Sequence, residues 1–517
     1  MESSPPVRQL LFLFGDQLDE HYLSHTGLNR EQDAIALLEV AGESTHVLSH
    51  VQRTVLFLSA MRHFASSLVK AHWRVHYVRL DDPGNSQSLV TEIGRVVREI
   101  QPSQLVFVHP GEWRILDTVI GASEHTGIPY RVETDPHFLT SLRWFDDWAS
   151  TRRQLRMEHF YRERRRGLGL LVNTDGTPVG GKWNLDSENR RSFDSEPAAP
   201  ALPRFAPDGI TRAVMDAART TLPQLPGELD GFNWPTTRGE ALLALKDFVA
   251  YRLVQFGDYQ DAMWTGEDTL YHSILSSSLN LKLLRPAEVV DAAIRLFEAG
   301  SAPLNAVEGF VRQIVGWREY VRGIYWNSGR SYSSYNTLEA DGRLPWFYWT
   351  GETDMACMRD ALRSVLTRSY GHHIARLMIT GNFALIAGVR PSEVAAWYLG
   401  MYVDGVEWAT LPNVLGMALY ADGGHMASKP YAASGNYINR MSNYCNGCLF
   451  EVKKRTGEGA CPFNTLYWDF MIRHQRRFLR NPRMALAARV VDRLSKSERE
   501  DVSRHARWLK ESWGVFG

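Results

Sequence analysis

The sequence predicts an α/β N-terminal domain, a doubly wound parallel sheet, followed by a large all-α C-terminal domain. Three observations carry this. Short β-branched or aromatic runs alternate with longer helical patterns as far as Trp148; from Arg238 onward the apolar spacing is almost wholly helical; and a connector rich in Arg, Pro, Gly and Asp separates the two. The strands are RQLLFLFGDQ, DAIALLEV, HWRVHYVRL and QLVFVHPGE, with helices such as VQRTVLFLSAMRHFASSLVKA and SLVTEIGRVVREI between them. Ligands in such sheets bind outside the carboxyl ends of the strands, where FGDQL, EVAGES and HPGEW fall. No G-x-G-x-x-G follows the first strand, so an ordinary dinucleotide-binding half is not supported. The connector reads as extended loops around a short helix. Beyond it, GEALLALKDFVAYRLVQFG, PAEVVDAAIRLFEAG, MRDALRSVLTRS and PSEVAAWYLGMYV are helices, several stopping at Gly or starting near Pro or Asn. The expected limits are 1–148, 149–236 and 237–517.

The chain has 517 residues, 44% of them apolar, and a formal net charge of zero, which excludes a strongly basic nucleic-acid binder of the histone kind but not a local basic face. LLFLF is too short to span a bilayer and no apolar run approaches the length a membrane helix needs, so a soluble, cytoplasmic protein without a membrane partner is expected. Sixteen Trp, 20 Tyr and 22 Phe furnish either a large aromatic core or a platform for flat ligands. Three of the four cysteines, Cys445, Cys448 and Cys461, lie close together, with Cys357 far upstream. In a reducing compartment a disulfide is set aside; C-x₂-C suits zinc and an iron–sulfur centre equally, and spacing leaves both open.

The chemistry-bearing patterns lie in the helical part. FVRQIVGWREYVRG places Arg312, Gln313, Trp317, Arg318 and Tyr320 within three turns. HHIARLMITGNF sets His373 and Arg376 on one helix face, YLGMYVDGVEWATLPN adds Asp404, and YHSILSSSLN is a Ser-rich entry to a helix whose free N–H groups suit a phosphate. Taken singly, each is more often structural: a helix surface with one core aromatic, or a satisfied histidine.

Together, and with LPWFYWTG, PLNAVEGFVRQIVGWREY, HHIARLMITGNFALIAG, KPYAASGNYINRMSNYC and the four cysteines, these patterns resemble the photolyase/cryptochrome superfamily, most sharply the iron–sulfur branch of prokaryotic (6-4) photolyases and cryptochromes. The resemblance runs over nearly the whole chain. It implies FAD, folded into a U, in the helical domain, held by His272, Ser273, Ile274, Leu275, Ser276, Asn280, Gln313, Trp317, Tyr320, His373, Arg376 and Asp404. It implies a [4Fe–4S] cluster on Cys357, Cys445, Cys448 and Cys461, and a 6,7-dimethyl-8-ribityllumazine antenna against Asp16, Glu43 and Phe57, the last bulkier than the aliphatic residue expected. The pattern departs at the phosphate loop, where Thr-Ser-x-Leu-Ser reads His-Ser-Ile-Leu-Ser.

The activity so implied is light-dependent repair of (6-4) pyrimidine–pyrimidone photoproducts in UV-damaged double-stranded DNA, the lesion flipped into the pocket. His373 takes the place of the catalytic proton donor, with His372 beside it; imidazole suits because its ordinary pKa lies near neutrality. Tyr431 and Tyr437 meet the lesion, Trp349, Trp397 and Tyr398 relay electrons, and Asp186 and Asp261 are lesion-side acids. Phosphate contacts are expected from Lys429, Arg440 and TRRQLRMEHFYRERRRG, which includes Arg152, Arg153 and Arg156 and carries seven Arg against two Glu. A monomer acting in a bacterial cytoplasm is expected. Two other classes stand beside repair: a cryptochrome-type photoreceptor with the same pigments, and a cluster-containing, non-photochemical DNA-binding protein of the primase kind.

Overall fold

The computed structural model describes residues 6–516. Five strands, β1 (Gln9–Leu13), β2 (Ala34–Leu38), β3 (Arg74–Val78), β4 (Gln104–Val108) and β5 (Tyr130–Glu133), form one sheet in the order β3-β2-β1-β4-β5. Every pairing is parallel, with Leu10 opposite Ala34 and Leu105. The order follows from the sequence: β1, β2 and β4 read as near-continuous apolar runs and are buried on both faces. Strand β5, YRVE, escapes sequence reading because it is a half-exposed edge with no apolar run. Helices α1 (Val51–Lys70), α2 (Leu89–Ile100) and α3 (Trp113–Thr126) make the crossovers.

The connector holds two helices rather than one, α4 (Met157–Leu168) and α5 (Gly209–Thr221). The all-helical part begins at α6 (Arg238–Tyr251), started by a capping box between Thr237 and Glu240. Proline at the first helical turn starts α7 (Pro286–Glu298) and α8 (Pro391–Met401), as the sequence signals.

Buried ion pairs fix the helical part over the strand ends. Lys282 Nζ donates to Asp135 at 2.9 Å and lies 3.9 Å from Asp16, while Arg285 makes a two-pronged contact with Asp19 at 2.7 and 2.8 Å. Lys282 is only 1% exposed, so its charge is held by this geometry rather than by water. No described helix is long and apolar enough to cross a membrane.

Candidate functional site

Three π-helical turns, Arg312–Arg318, Ala375–Gly381 and Pro412–Ala418, interrupt the helical part. Such a turn inserts a residue and re-aims the side chains after it, and it recurs at functional sites. The last two touch through Gly381. A Cβ there would stand 2.8 Å from the Arg376 carbonyl and 3.0 Å from Ala418 Cβ, so no larger residue permits the approach.

Arg376, on the second π turn, is held on three sides. Its Nη1 donates to Asp404 at 2.8 Å, its Nε to the Gly371 carbonyl at 2.6 Å, and its guanidinium lies 3.9 Å from the centre of the Tyr402 ring. Burial opposes ionisation of Asp404, but Arg376 and a hydrogen bond from Ser276 overcome it and its pKa is lowered. The Asp404 carbonyl accepts from Asn280 Nδ2 at 2.9 Å. Ser276, Asn280, Arg376 and Asp404 are thus one connected unit. Ile274 in the adjoining loop has φ of +57°, a conformation β-branched residues rarely adopt, and marks a backbone forced into place at this loop.

Three histidines gather here. His272 stacks on His372 with ring centres 4.6 Å apart and planes 14° apart. Burial and the charge of His373 hold His272 down to about 3, and burial with its charged neighbours holds His372 well below its ordinary value. His373 is exposed, yet enough protein surrounds it that desolvation, then Arg376, lower its pKa to about 4, as for an imidazole facing a recess. His272 Nε2, His372 Nδ1, Ser277 Oγ and Ser278 Oγ are buried without a hydrogen-bond partner, which leaves polar atoms for a ligand to satisfy.

Because all three histidines bind protons less readily folded than unfolded, stability is full above about 6.5 and is lost as pH falls from there toward 3–4. His372→Phe removes one such group and one unpartnered atom, and should unfold at lower pH than the parent in an acid titration followed by circular dichroism. An unchanged acid midpoint contradicts this.

Of the remaining expected cofactor contacts, Gln313 donates back to the Gly309 carbonyl at 3.3 Å, and Trp317 lies 6.2 Å from Tyr320. Tyr320 is fully buried in an aromatic cluster with Phe145, Trp148 and Phe160, and there it serves the core. Leu275 is likewise buried, and Ser273 Oγ accepts from the Leu275 N–H at 3.4 Å.

Trp397 and Tyr398 are buried neighbours, ring centres 5.5 Å apart, and Tyr398 donates to the Arg376 carbonyl at 2.7 Å. Tyr402, which sequence reading passes over, touches both rings at 5.6 and 5.1 Å and links them to Arg376. Trp349 is 40% exposed and stacks on no described ring; its neighbour Tyr348 meets Trp397 at 5.1 Å.

The four cysteines line one cavity with Gly435, Tyr444 and Phe450. None is disulfide-bonded. Among the described residues no group of three or more His, Cys, Asp or Glu converges closely enough to hold a metal ion. The thiols instead ring the cavity. Burial and mutual repulsion raise Cys357, and push Cys445 up to about 11, so only a cationic occupant would draw them to thiolates.

Tyr431 and Tyr437 are half-buried, with Arg440 stacked 5.5 Å over Tyr437. Asp261 is raised to about 6 by burial and by Asp186, which is itself paired with Arg190 and Arg312. Several arginines of the connector run are engaged within the protein. Arg152 binds Glu163 at 2.6 Å and stacks on Trp148; Arg164 stacks on Trp144; Arg165 is buried among the carbonyls of Leu170, Leu171 and Trp183. Cation–π contacts with indole rings give these residues a packing role that charge counting cannot show. Arg153 and Arg156 stay exposed.

At the strand ends, burial raises Asp16 to about 6, Glu43 is clamped by Arg114 at 2.7 and 2.8 Å, and the Phe57 ring rests on Gly15 with Arg53 stacked 4.7 Å above it. The three expected antenna residues thus share one end of the sheet, with Glu43 and Phe57 already engaged by arginines.

A (6-4) photolyase from Agrobacterium fabrum is 46% identical over 500 residues, 97% of this chain and 98% of that protein. The chain belongs to the photolyase/cryptochrome family, on its bacterial (6-4) branch. A family model for deoxyribodipyrimidine photo-lyase-related proteins matches residues 11–234 of this photolyase-family chain. The same two-part fold occurs in a bacterial class III photolyase from Agrobacterium tumefaciens (TM-score 0.52, 14% identity, all of this chain and 93% of that one) and in a Synechocystis cryptochrome (TM-score 0.54, 12% identity, all of this chain and 95% of that one).

Proposed function

We propose that this protein reverses (6-4) photoproducts in DNA with light, and that His373 supplies the proton. The observation that carries the reading is an exposed imidazole facing a recess beside the partly buried Arg376–Asp404 pair. FAD fits the recess on the chemistry of its lining. The unpartnered atoms of His272, Ser277 and Ser278 suit its phosphates and ribityl chain, and Arg376 favours an anionic ring at its edge. When bound and reduced, the flavin supplies an excited-state electron donor. The chain's own residues then orient and protonate: Tyr431 and Tyr437 receive the flipped bases, and His373 delivers a proton to the lesion.

We read the cavity lined by Cys357, Cys445, Cys448 and Cys461 as the seat of a multi-iron cluster. A zinc ion needs its sulfurs converged at about 2.3 Å, whereas a [4Fe–4S] core needs four thiolates spread around it. A dimethyl-ribityllumazine antenna would sit at Asp16, Glu43 and Phe57.

Photoreduction of oxidised flavin would run through Tyr402, Trp397 and Tyr398 toward the exposed Trp349. Trp397→Phe should reduce flavin photoreduction to near background, while chemically reduced protein still repairs DNA. Full-rate photoreduction in the variant removes Trp397 from the route. The overall reading is tested by illuminating the reduced protein with an oligonucleotide that carries one (6-4) product. Recovery of the two native pyrimidines supports repair; flavin photochemistry with no recovery favours a photoreceptor.

A further inference from the structure

A second cationic surface lies outside the connector run. Within residues 476–483 the chain carries Arg476, Arg477, Arg480 and Arg483, all exposed, in a protein of zero net charge. None pairs with a carboxylate among the described residues. Arg477 donates to the Thr337 carbonyl and Arg483 to Ser428 Oγ at 2.6 Å, while the side chains of Arg476 and Arg480 make no hydrogen bond or ion pair with any described residue. The neighbouring Arg473 shows the contrast, tied to Asp469 at 2.9 Å. Four like charges in eight residues repel one another, and a polyanion is what offsets such a row.

The position of the row identifies the polyanion. Asn481 donates to the Ser428 carbonyl at 3.1 Å and to the Tyr420 hydroxyl at 3.3 Å, which docks the segment on the loop that runs on into Lys429 and Tyr431. Lys429 has no acidic partner among the described residues either. Burial lowers its pKa, and so does Arg483, which is bonded to Ser428 next to Lys429 and lies within electrostatic reach of it. The row therefore begins next to the residues proposed to meet the lesion.

We propose that segment 476–483 is a phosphate-binding surface for duplex DNA beside the lesion, with Arg483 gripping the phosphate nearest the flipped nucleotide. The assignment of DNA as partner rests on the repair reading. The surface itself is tested without repair.

Fluorescence anisotropy of the flavin-loaded protein with labelled undamaged duplex, in the dark across a salt series, gives the slope of log K against log[salt]. Arg480→Gln/Arg483→Gln should lower that slope by about 2, one for each phosphate no longer neutralised, and Arg483→Lys should keep it. Arg98→Gln, an exposed arginine on α2 of the sheet domain, should leave it unchanged. A wild-type slope in the first variant overturns the proposal, as does an equal fall in Arg98→Gln. If the double variant loses flavin absorption, Arg480→Gln, whose side chain has no described partner in the protein, decides the matter through a change of about 1. Duplex binding through these arginines without reversal of a (6-4) lesion keeps the surface and refutes repair; repair with an unaltered slope does the opposite.

Discussion

His373→Ala is expected to lower the yield of (6-4) lesion reversal by at least about 100-fold, the smallest effect typical of a lost general acid. Flavin content should be unchanged, because the Arg376–Asp404 pair and the Ser276–Asn280 contacts do not pass through His373. The pH dependence separates proton donation from simple packing. In the protein without DNA, burial and Arg376 hold His373 at about 4, so it is neutral near pH 7. An anionic ring and the DNA phosphates both attract the imidazolium form and raise that value. Single-turnover repair should therefore decline as pH rises through a pKa above 4, and lesion binding should take up a proton measurable by buffer-dependent calorimetry. His373→Ala should abolish both signatures. A variant that keeps the wild-type pH profile, or binding without proton uptake, means that the proton comes from elsewhere.

Cys448→Ala is expected to give unstable, poorly flavinated protein. From Cys357 to Cys445 the chain runs roughly ninety residues, and a cross-link that closes a loop of this length restricts the unfolded chain by about 4.6 kcal/mol in the chain-entropy account. The cavity also lies behind the helix that carries Tyr437, so a collapsed cavity disturbs the lesion side as well. Gly435→Ala is a gentler probe, since the backbone there is ordinary helix. An added Cβ would stand 2.8 Å from Cys461 Sγ and 3.1 Å from Val452 Cγ2, an overpacking of about 1–3 kcal/mol aimed at one ligand. Iron content and broad visible absorption should fall in Gly435→Ala before flavin does. Soluble Cys448→Ala with full flavin and no iron would mean that the cavity does not support the fold.

Cys357 and the pairing of Arg376 with Asp404 came only with the family resemblance, whereas the strands β1 to β4, the helix starts at Pro286 and Pro391 and the grouping of Cys445, Cys448 and Cys461 were legible in the sequence itself. Each is signalled by residues whose type alone restricts what they do: apolar runs have to be buried, proline opens helices, and thiols in one short stretch seek a common partner. Only the tertiary structure decided the rest. Strand β5 forms because β4 offers it an edge, not because YRVE demands it. The connector arginines looked free because a charge count cannot see the indoles of Trp144, Trp148 and Trp183 that hold them, while the four at 476–483 stay unpaired because folding brings no described acid near. Tyr402 enters the site through a cation–π contact that exists only once Arg376 is turned onto it by a π-helical turn. Composition and spacing fix what a residue can do; which neighbour it meets is set by long-range packing, and charge or ring chemistry acts only at contact distance.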